Sequence, residues 1–503
     1  ADNLCVEYCR GTRTAAMGMT SYASVTLSNC TFLGNARYHK YQFTAAESAS
    51  AIKVGNRIQM RDCHFERNIV IRNRGEWQNA STVMSVPYCT GLQAKADALR
   101  GLKFVANACW AGGSNIGHAF PLVGIGVGNC RFDGWTVARN MIKSSSPNPL
   151  RCSLIGGATD YRFTLENSTV FSNRLEVVAD ETSEEVFVAP VVGRNLTQFV
   201  NCTFFDNEVS VTAPDTCAVY ASRAVISVKQ AGDDMGKRRY VSCFNCTFSG
   251  STPLPDVVDA GADYTNVCSF VANSILWATG AAVNTPRVMA YGNKDGNAVE
   301  IANCIVRSPE MLMPPRVWKS GSVSGEDPLL EPLRYLAEGD SVPVMRCGAL
   351  TPMIRRSFDI KQKTSRYNLH ILAYFPGASM SGGKTRDGND SDNTSCITDA
   401  LGNVRPVGAF TLGAVQPVAP KAETGITVVF RARPEKAGTV DGANAMKTEV
   451  FSVGETAGAI TATAADGYGF NSWRDEDGEV LGANAAYTPS TLASGSFYAD
   501  AWF

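Results

Sequence analysis

The chain has 503 residues, 45% of them hydrophobic and 18% charged, and Lys plus Arg (46) nearly cancels Asp plus Glu (47). That length accommodates more than one domain, and the near-neutral balance argues against an electrostatic grip on nucleic acid or on an anionic membrane. No apolar run reaches the ~18 residues of a membrane span. The chain opens at Ala1-Asp2-Asn3 without an initiator Met, as expected of a processed or trimmed protein exported with its signal peptide removed.

In chain order, one short pattern keeps returning. It reads Asn29-Cys30-Thr31-Phe32, then Asp62-Cys63-His64-Phe65, Asn129-Cys130-Arg131-Phe132 and Asn167-Ser168-Thr169-Val170. Asn201-Cys202-Thr203-Phe204, Asn245-Cys246-Thr247-Phe248 and Asn303-Cys304-Ile305-Val306 follow. Two looser copies start at Asn107 and Asn273. A motif that recurs this often is an architectural unit. Polar and apolar residues alternate within it, so Cys and Phe face one side and Thr the other, as a strand requires. The leading Asn sits where its amide can serve a turn. The steps between copies are 33, 45, 22, 38, 34, 44, 28 and 30 residues. Such uneven steps do not suit a two-helix repeat of fixed length, but they suit coils of short strands with loops that swell. Stacked at ~4.8 Å, the copies would align Asn on Asn, Cys on Cys and Phe on Phe.

Asn-Cys-Thr-Phe-x-x-Asn resembles the repeats of right-handed parallel β-helix proteins of bacterial surfaces, including polymorphic outer-membrane-protein passengers. Strand-like stretches before and after the motif (51–55, 189–193, 224–228 and 68–72) fit the three strands per coil of such a helix. The resemblance covers residues 1–320 and implies the fold far more than a function. The expected structural ladder comprises Asn29, Cys30, Phe32, Cys63, Phe65, Asn129, Cys130, Phe132, Asn201, Cys202, Phe204, Asn245, Cys246, Phe248, Asn303 and Cys304. Its cysteines are expected to be small buried side chains rather than disulfides. Of the sixteen cysteines, Cys5 with Cys9 and Cys347 with Cys396 are the candidate bridges. Cys243-x-x-Cys246 lacks the second pair that zinc needs. Asn29, Asn201 and Asn245 also begin Asn-x-Thr glycosylation acceptors, although a ladder role would engage their amides. Loops 38–50, 144–152, 231–239 and 251–266 are the expected sites of any ligand contact.

At Gly325-Glu326-Asp327-Pro328-Leu329 the pattern changes. Together with Asp399-Ala400-Leu401-Gly402-Asn403-Val404-Arg405-Pro406-Val407-Gly408-Ala409, this resembles the closing segment of secreted bacterial β-helix proteins. Residues 321–415 are therefore expected to be final coils and a cap. A Pro-rich linker follows at 416–424. In 425–503, Gly438-Thr439-Val440, Gly467-Tyr468-Gly469-Phe470-Asn471-Ser472-Trp473 and Asp477-Gly478 resemble an internalin B-repeat, a small β-grasp-like module. Phe470, Trp473 and Phe503 would form its core. The expected fold is all-β: a right-handed parallel β-helix solenoid followed by a small β-grasp-like domain.

Chemistry is sparse. A hydrolase needs clustered carboxylates, and Asp233-Asp234 with a distant His118 are the only candidates. They stand in an order opposite to that of the polygalacturonase type, within a loop-like composition. Asp62, Asp133 and Asp206 take three different offsets from the motif and would not form one column. The loop containing Asp387, Asp390 and Asp392 alternates acids as a calcium loop does, but Thr398 stands where the twelfth-position Glu belongs. No other cofactor is expected. The reading at this stage is a non-catalytic structural or adhesive protein of a bacterial surface, outside the cell. It could be a filament subunit, with 497–503 as a connecting strand. Its partners would be itself, by end-to-end or strand-mediated assembly, or cell-surface and glycan ligands. The alternative is a β-helix enzyme or binding protein acting on polysaccharide.

Overall fold

The computed structural model describes residues 1–11, 16–18, 24–39, 49–53, 57–72, 82–88, 99–112, 120–146, 151–156, 161–193, 196–228, 240–262, 269–280, 285–292, 299–302, 304–307, 317–320, 323–324, 330, 332–335, 342–345, 399–401, 413–415, 426–434, 437–444, 446–451, 458–474, 480–489 and 497–503. Two units are present, one of residues 1–352 with 412–415 and one of 353–411 with 416–503.

The first unit is a parallel β-solenoid. Strands from successive coils stack into an eleven-stranded sheet, a seven-stranded sheet and a bent nineteen-stranded sheet. They are called here the narrow, short and bent sheets. Each early coil passes from an entry strand of the bent sheet (Ser24–Ser28 in one coil) to the narrow sheet (Thr31–Leu33) and the short sheet (Ala36–His39). It then returns to a second column of the bent sheet (Ala49–Lys53). A coil thus has four strand positions rather than the three that the sequence pattern suggests. Phe120–Asp133 is long enough to span both columns of the bent sheet, which merges them.

Two sharp corners flank each narrow strand from Cys5–Glu7 to Thr247–Gly250, and each needs one residue with positive φ. The first corner uses Asn29, Asp62, Gly101, Gly134, Asn167, Asn201, Asn245 and Asn273, with φ between 48° and 67°. These are the residue types that tolerate the left-handed region best. This is why Asn leads the motif. The second corner uses Tyr8, Gly34, Arg67, Ala106, Arg139, Ser172, Asp206 and Gly250. Backbone hydrogen bonds between coils continue through the turns, as in Asn29 N to Arg61 O (3.0 Å) and Gly34 N to Glu66 O (2.9 Å).

Just after the second corner, inside the coil, Asn35, Asn68, Asn107, Asn140, Asn173 and Asn207 form a buried column. Their steps along the chain are 33, 39, 33, 33 and 34 residues. Each Nδ2 donates to the Oδ1 of the next Asn at 2.8–3.0 Å. The same Nδ2 donates to a carbonyl of the preceding coil, as Asn140 does to Phe104 O at 2.9 Å. Asn140 Oδ1 accepts from both the backbone N and the Nδ2 of Asn107, each at 2.9 Å. Both donors and both acceptor sites of the amide are therefore engaged, the condition for burying it without loss.

The short sheet ends with Glu208–Thr212. From there the coil shortens, with 28 residues from Cys246 to Ser274. The gap is closed by a buried ion triad. Asp256 accepts from Arg223 Nε at 2.5 Å and from Arg287 Nε and Nη2 at 2.8 and 2.6 Å. Arg223 Nη1 also donates to Gly250 O. Burial pushes the Asp256 carboxyl up to about 6, against the pull of Arg223; at neutral pH it is ionised. The last solenoid strands described are Val317–Ser320 and Val323–Ser324.

Of the segment expected as a cap, Val342, Pro343, Val344 and Met345 are buried, and Val344 bridges antiparallel to Arg334. Pro343 O accepts from Thr169 Oγ1 at 2.6 Å; Gly413 N donates to Asn273 O and Ala414 N to Thr247 Oγ1. These pieces line the side of the solenoid, over the outer face of the narrow sheet. The outward Thr136, Thr169, Thr203 and Thr247 are accordingly buried.

The C-terminal module has a five-stranded and a four-stranded sheet. Phe497–Trp502 pairs with Ile426–Arg433 on one side and Ser472–Arg474 on the other. This corrects the reading of the last strand as a free connector: it is paired along one edge throughout and along the other at Asp500, Ala501 and Trp502, and these three residues cannot bind a second chain without leaving their own sheet.

Replacing Asn140 by Ala strands a carbonyl and two donors of its neighbours, and we expect a loss of about 3 kcal/mol or more. Asn29→Gly, which keeps the positive φ, should change stability by only a few tenths of a kcal/mol beyond the loss of the Asn29 Nδ2 bond to Asp2. Urea midpoints of the two variants test the contrast. Asp256→Ala, which leaves two buried guanidinium groups unpaired, should cost about 3–5 kcal/mol by the same measurement.

Candidate functional site

At the first corner, the residue after the left-handed one points inward. Cys30, Cys63, Cys202, Cys246 and Cys304 occupy this column and are buried free thiols. Register gives Leu102, Trp135, Ser168 and Ser274 the same position in the other coils. The column does more than fill space. Cys63 Sγ donates to Leu27 O, Cys202 Sγ to Leu165 O, Cys246 Sγ to Phe199 O and Cys304 Sγ to Val271 O, each in the preceding coil. Trp135 substitutes its indole Nε1, which donates to Leu99 O at 2.9 Å. Ser168 and Ser274 donate within their own coils, to Glu166 O and Ala272 O, the same carbonyl two residues back that Cys63, Cys202 and Cys246 also reach, at 3.3–3.4 Å. The position thus favours an inward donor beside a corner carbonyl, with the apolar Leu102 the exception among these coils. Burial pushes the Cys63 thiol up to about 12 and those of Cys202 and Cys243 well above the usual range, so they stay protonated and unreactive.

Register corrects one copy of the motif. Cys130 pairs with Phe163 and Phe132 with Leu165, inside the entry column of the bent sheet. Asn129, Cys130 and Phe132 are therefore one strand too early. The equivalent residues are Gly134, Trp135 and Val137. Likewise Asn107 belongs to the second-corner amide column, and its coil enters the narrow sheet through Gly101-Leu102-Lys103-Phe104. The continuous Asn column is accordingly the trailing Asn of the motif, not the leading one. Leading residues make separate links, with Asn201 Nδ2 donating to Asn167 Oδ1 and Asn167 Nδ2 to Asp133 Oδ1. Asn303 lies outside the described residues.

The Phe column stacks as Phe32 on Phe65 (5.0 Å, 4°) and Phe65 on Phe104 (4.7 Å, 6°), and again as Phe204 on Phe248 (5.2 Å, 8°). Between them Val137 and Val170 hold the position. There Phe132 stacks on Trp135 at 4.4 Å, so a large ring in one column compensates for a small side chain in the next.

Cys5 and Cys9 are free thiols, which corrects that proposed bridge: the first narrow strand Cys5–Glu7 and the Tyr8 corner lie between them. The proposed Cys347–Cys396 bridge, Asp233, Asp234, His118, and the loop of Asp387, Asp390 and Asp392 lie outside the described residues. Asp62 sits at the first corner, Asp133 ends an entry strand beside Arg100 (3.5 Å), and Asp206 sits at the second corner, where Ser251 Oγ donates to it. They form no single column. Among the described residues no group of three or more His, Cys, Asp or Glu side chains is placed to hold a metal ion.

The outer face of the short sheet remains. One outward column runs Arg10, Ala36, Ile69, Ala108, Met141, Arg174 and Glu208, and the next runs Tyr38, Ile71, Trp110, Lys143, Glu176 and Ser210. Tyr38 is 46% and Trp110 42% exposed. The last strands of this face are charged and paired among themselves: Lys143 with Glu176 (3.3 Å), and Arg174 with Glu176 (2.6 Å) and Glu208 (3.9 Å). Exposed aromatic rings on this face were missed in the sequence. The signal was Trp110 flanked by Ala108 and Gly112, large among small at outward spacing.

In the C-terminal module, Trp473 is buried and its Nε1 donates to Ala485 O at 3.1 Å. Phe470 packs between it and Phe503, at 6.2 and 5.9 Å. Gly438 lies against the Phe503 ring so closely that a Cβ there would collide with it. Arg431 forms a two-pronged pair with Asp500, the strong arrangement for a buried carboxylate.

Serine supplies the same donor as the ladder thiols without titrating, so Cys63→Ser should fold at pH 7. The raised Cys63 value means that native stability is full below the ordinary thiol pKa of 9.0 and is lost as pH rises toward about 12. Cys63→Ser should make that alkaline loss shallower; urea titrations from pH 7 to 11 would expose an unchanged slope.

Among the described residues no helix is long and apolar enough to cross a membrane. No curated protein and no solved structure matches the chain. Residues 428–495 match the family described as the divergent InlB B-repeat domain.

Proposed function

We propose that this is a non-catalytic extracellular protein of a bacterial surface with a structural or adhesive role. The observation that carries the reading is the joining, in one chain, of a ladder-stabilised solenoid to a divergent InlB B-repeat module. Modules of this type are typical of bacterial surface proteins. The solenoid suits a rigid, display-like role, because its interior is consumed by packing and its outer columns are free to vary. Assembly into a filament, by end-to-end contact between solenoid units, is one form this role could take. A second reading, a solenoid that binds or degrades polysaccharide, is favoured by the exposed Tyr38 and Trp110 on one sheet face.

Protease treatment of intact cells producing the full protein tests the location; release of its peptides is expected, and their complete retention inside the cells would overturn it. Incubation with a panel of polysaccharides should yield no new reducing ends. Cleavage that disappears in Asp233→Asn or Asp234→Asn would replace the non-catalytic reading with the enzymatic one. Negative-stain micrographs over a concentration series decide the filament form: fibres with a regular axial repeat support it and isolated particles throughout reject it.

A further inference from the structure

We propose that the outer face of the short sheet binds a neutral, extended β-linked polysaccharide, with Tyr38 and Trp110 as stacking platforms. The inference rests on the extracellular reading above, in which a surface protein meets glycans, and it names the ligand class for the adhesive role.

Tyr38, Ile71 and Trp110 share one register column, with Ile71 on the strand between the two rings. Two strand spacings separate the rings by about 9.6 Å along the solenoid axis. That interval fits alternate pyranose rings of an extended chain lying across the strands, with Ile71 beneath the intervening ring. Space is available around Trp110. Its outward neighbours on the same strand are Ala108 and Gly112, and a Cβ at Gly112 would meet only Ser145 Oγ, at 3.6 Å. The adjoining column runs Arg10, Ala36, Ile69, Ala108 and Met141, so the ground beside the rings is apolar apart from the exposed Arg10 at its start.

Charge and area choose the occupant. The outward charges on the later strands, Lys143, Arg174, Glu176 and Glu208, form ion pairs among themselves. They offer hydrogen bonds to hydroxyl groups, and among the described outward charges of this sheet only Arg10 stands outside these pairs, short of the row of cations that an acidic chain, charged along its length, would need. An aromatic side chain contributes about 150–250 Å², so two rings and an isoleucine fall well short of the ~800 Å² per partner of a stable protein interface. They match a chain of sugar rings, whose apolar faces stack on aromatic planes while their rims stay hydrated.

The test uses the full chain and affinity electrophoresis in soluble neutral β-glucans, xylan and mannan, with pull-down on cellulose and chitin. The wild type is expected to be retarded or captured by at least one of these. Trp110→Ala and Tyr38→Ala should each weaken that binding at least tenfold, while Tyr38→Phe, which keeps the ring, should retain it. Trp502→Ala removes an equally exposed indole from the C-terminal module and should bind as the wild type does. All three sites are solvent-facing, and an unchanged circular dichroism spectrum and melting temperature would verify folding. Failure of the wild type to bind any neutral glycan overturns the inference, as does equal binding by Trp110→Ala. Self-association that Trp110→Ala abolishes, without glycan binding, would assign the face to a second copy instead. None of these failures touches the surface location, which protease treatment of intact cells decides separately.

Discussion

The solenoid depends on its corners. A narrow strand of three residues sits between two residues held at positive φ, and this arrangement repeats with little change from coil to coil. Each turn leaves a carbonyl near the interior that needs a donor. The first corner supplies a thiol, a serine hydroxyl or the Trp135 indole, and the second supplies an asparagine amide. Residues within the coil are thus selected by hydrogen bonding at the bends as much as by apolar packing between them. An unpaired buried group costs far more than a paired one gains. The corner columns therefore tolerate few residue types, while the strand centres accept Phe, Val or Leu.

The same logic accounts for the places where the column changes. Trp135 fits the thiol position because its Nε1 reaches the same carbonyl, and its bulk is offset by Val137 and the stacked Phe132. Where the short sheet ends, the amide column ends with Asn207. The interior there passes to Arg223, Asp256 and Arg287, whose fixed geometry fills the junction without another strand. A buried triad is a costly way to close a wall. It supplies specificity of register that an apolar patch would not, because a slip of one coil would separate the charges.

Much of this was legible in the sequence because the period-two alternation and the recurring Asn-Cys-x-Phe are local signals. They identified the parallel solenoid, and the Gly-Tyr-x-Phe-x-x-Trp order identified the C-terminal module. The errors arose where two signals competed. Asn129-Cys130-Arg131-Phe132 carries the right letters one strand too early, while the true corner, Gly134-Trp135, carries neither Asn nor Cys. Only register along the stack separates them. The leading Asn was assigned the ladder because it is next to the conspicuous Cys, yet a residue at φ near 50° serves the turn, and the trailing Asn points inward. Burial of the outward threonines was invisible for a different reason. It depends on 342–345 and 413–415, which are far away in sequence and carry no motif that names their target.

That burial also bears on where the solenoid can meet anything else. The narrow sheet of a laddered solenoid presents regular outward columns, the obvious place for a ligand. Here Pro343, Gly413 and Ala414, from later segments of the chain, lie on it at Thr169, Asn273 and Thr247, and a ligand there would have to displace them. The short sheet differs. Its inward side is sealed by Val70, Cys109, Ile142 and Leu175, so its outward residues can vary without disturbing the core. Along that face the composition is graded, with aromatic and small residues on the first strands and mutually paired charges on the last. Packing alone would permit polar residues throughout, as an exposed sheet face normally has. A tryptophan and a tyrosine left 42% and 46% exposed in one register column are unfavourable for solubility, and contact with a ligand gives that cost a reason.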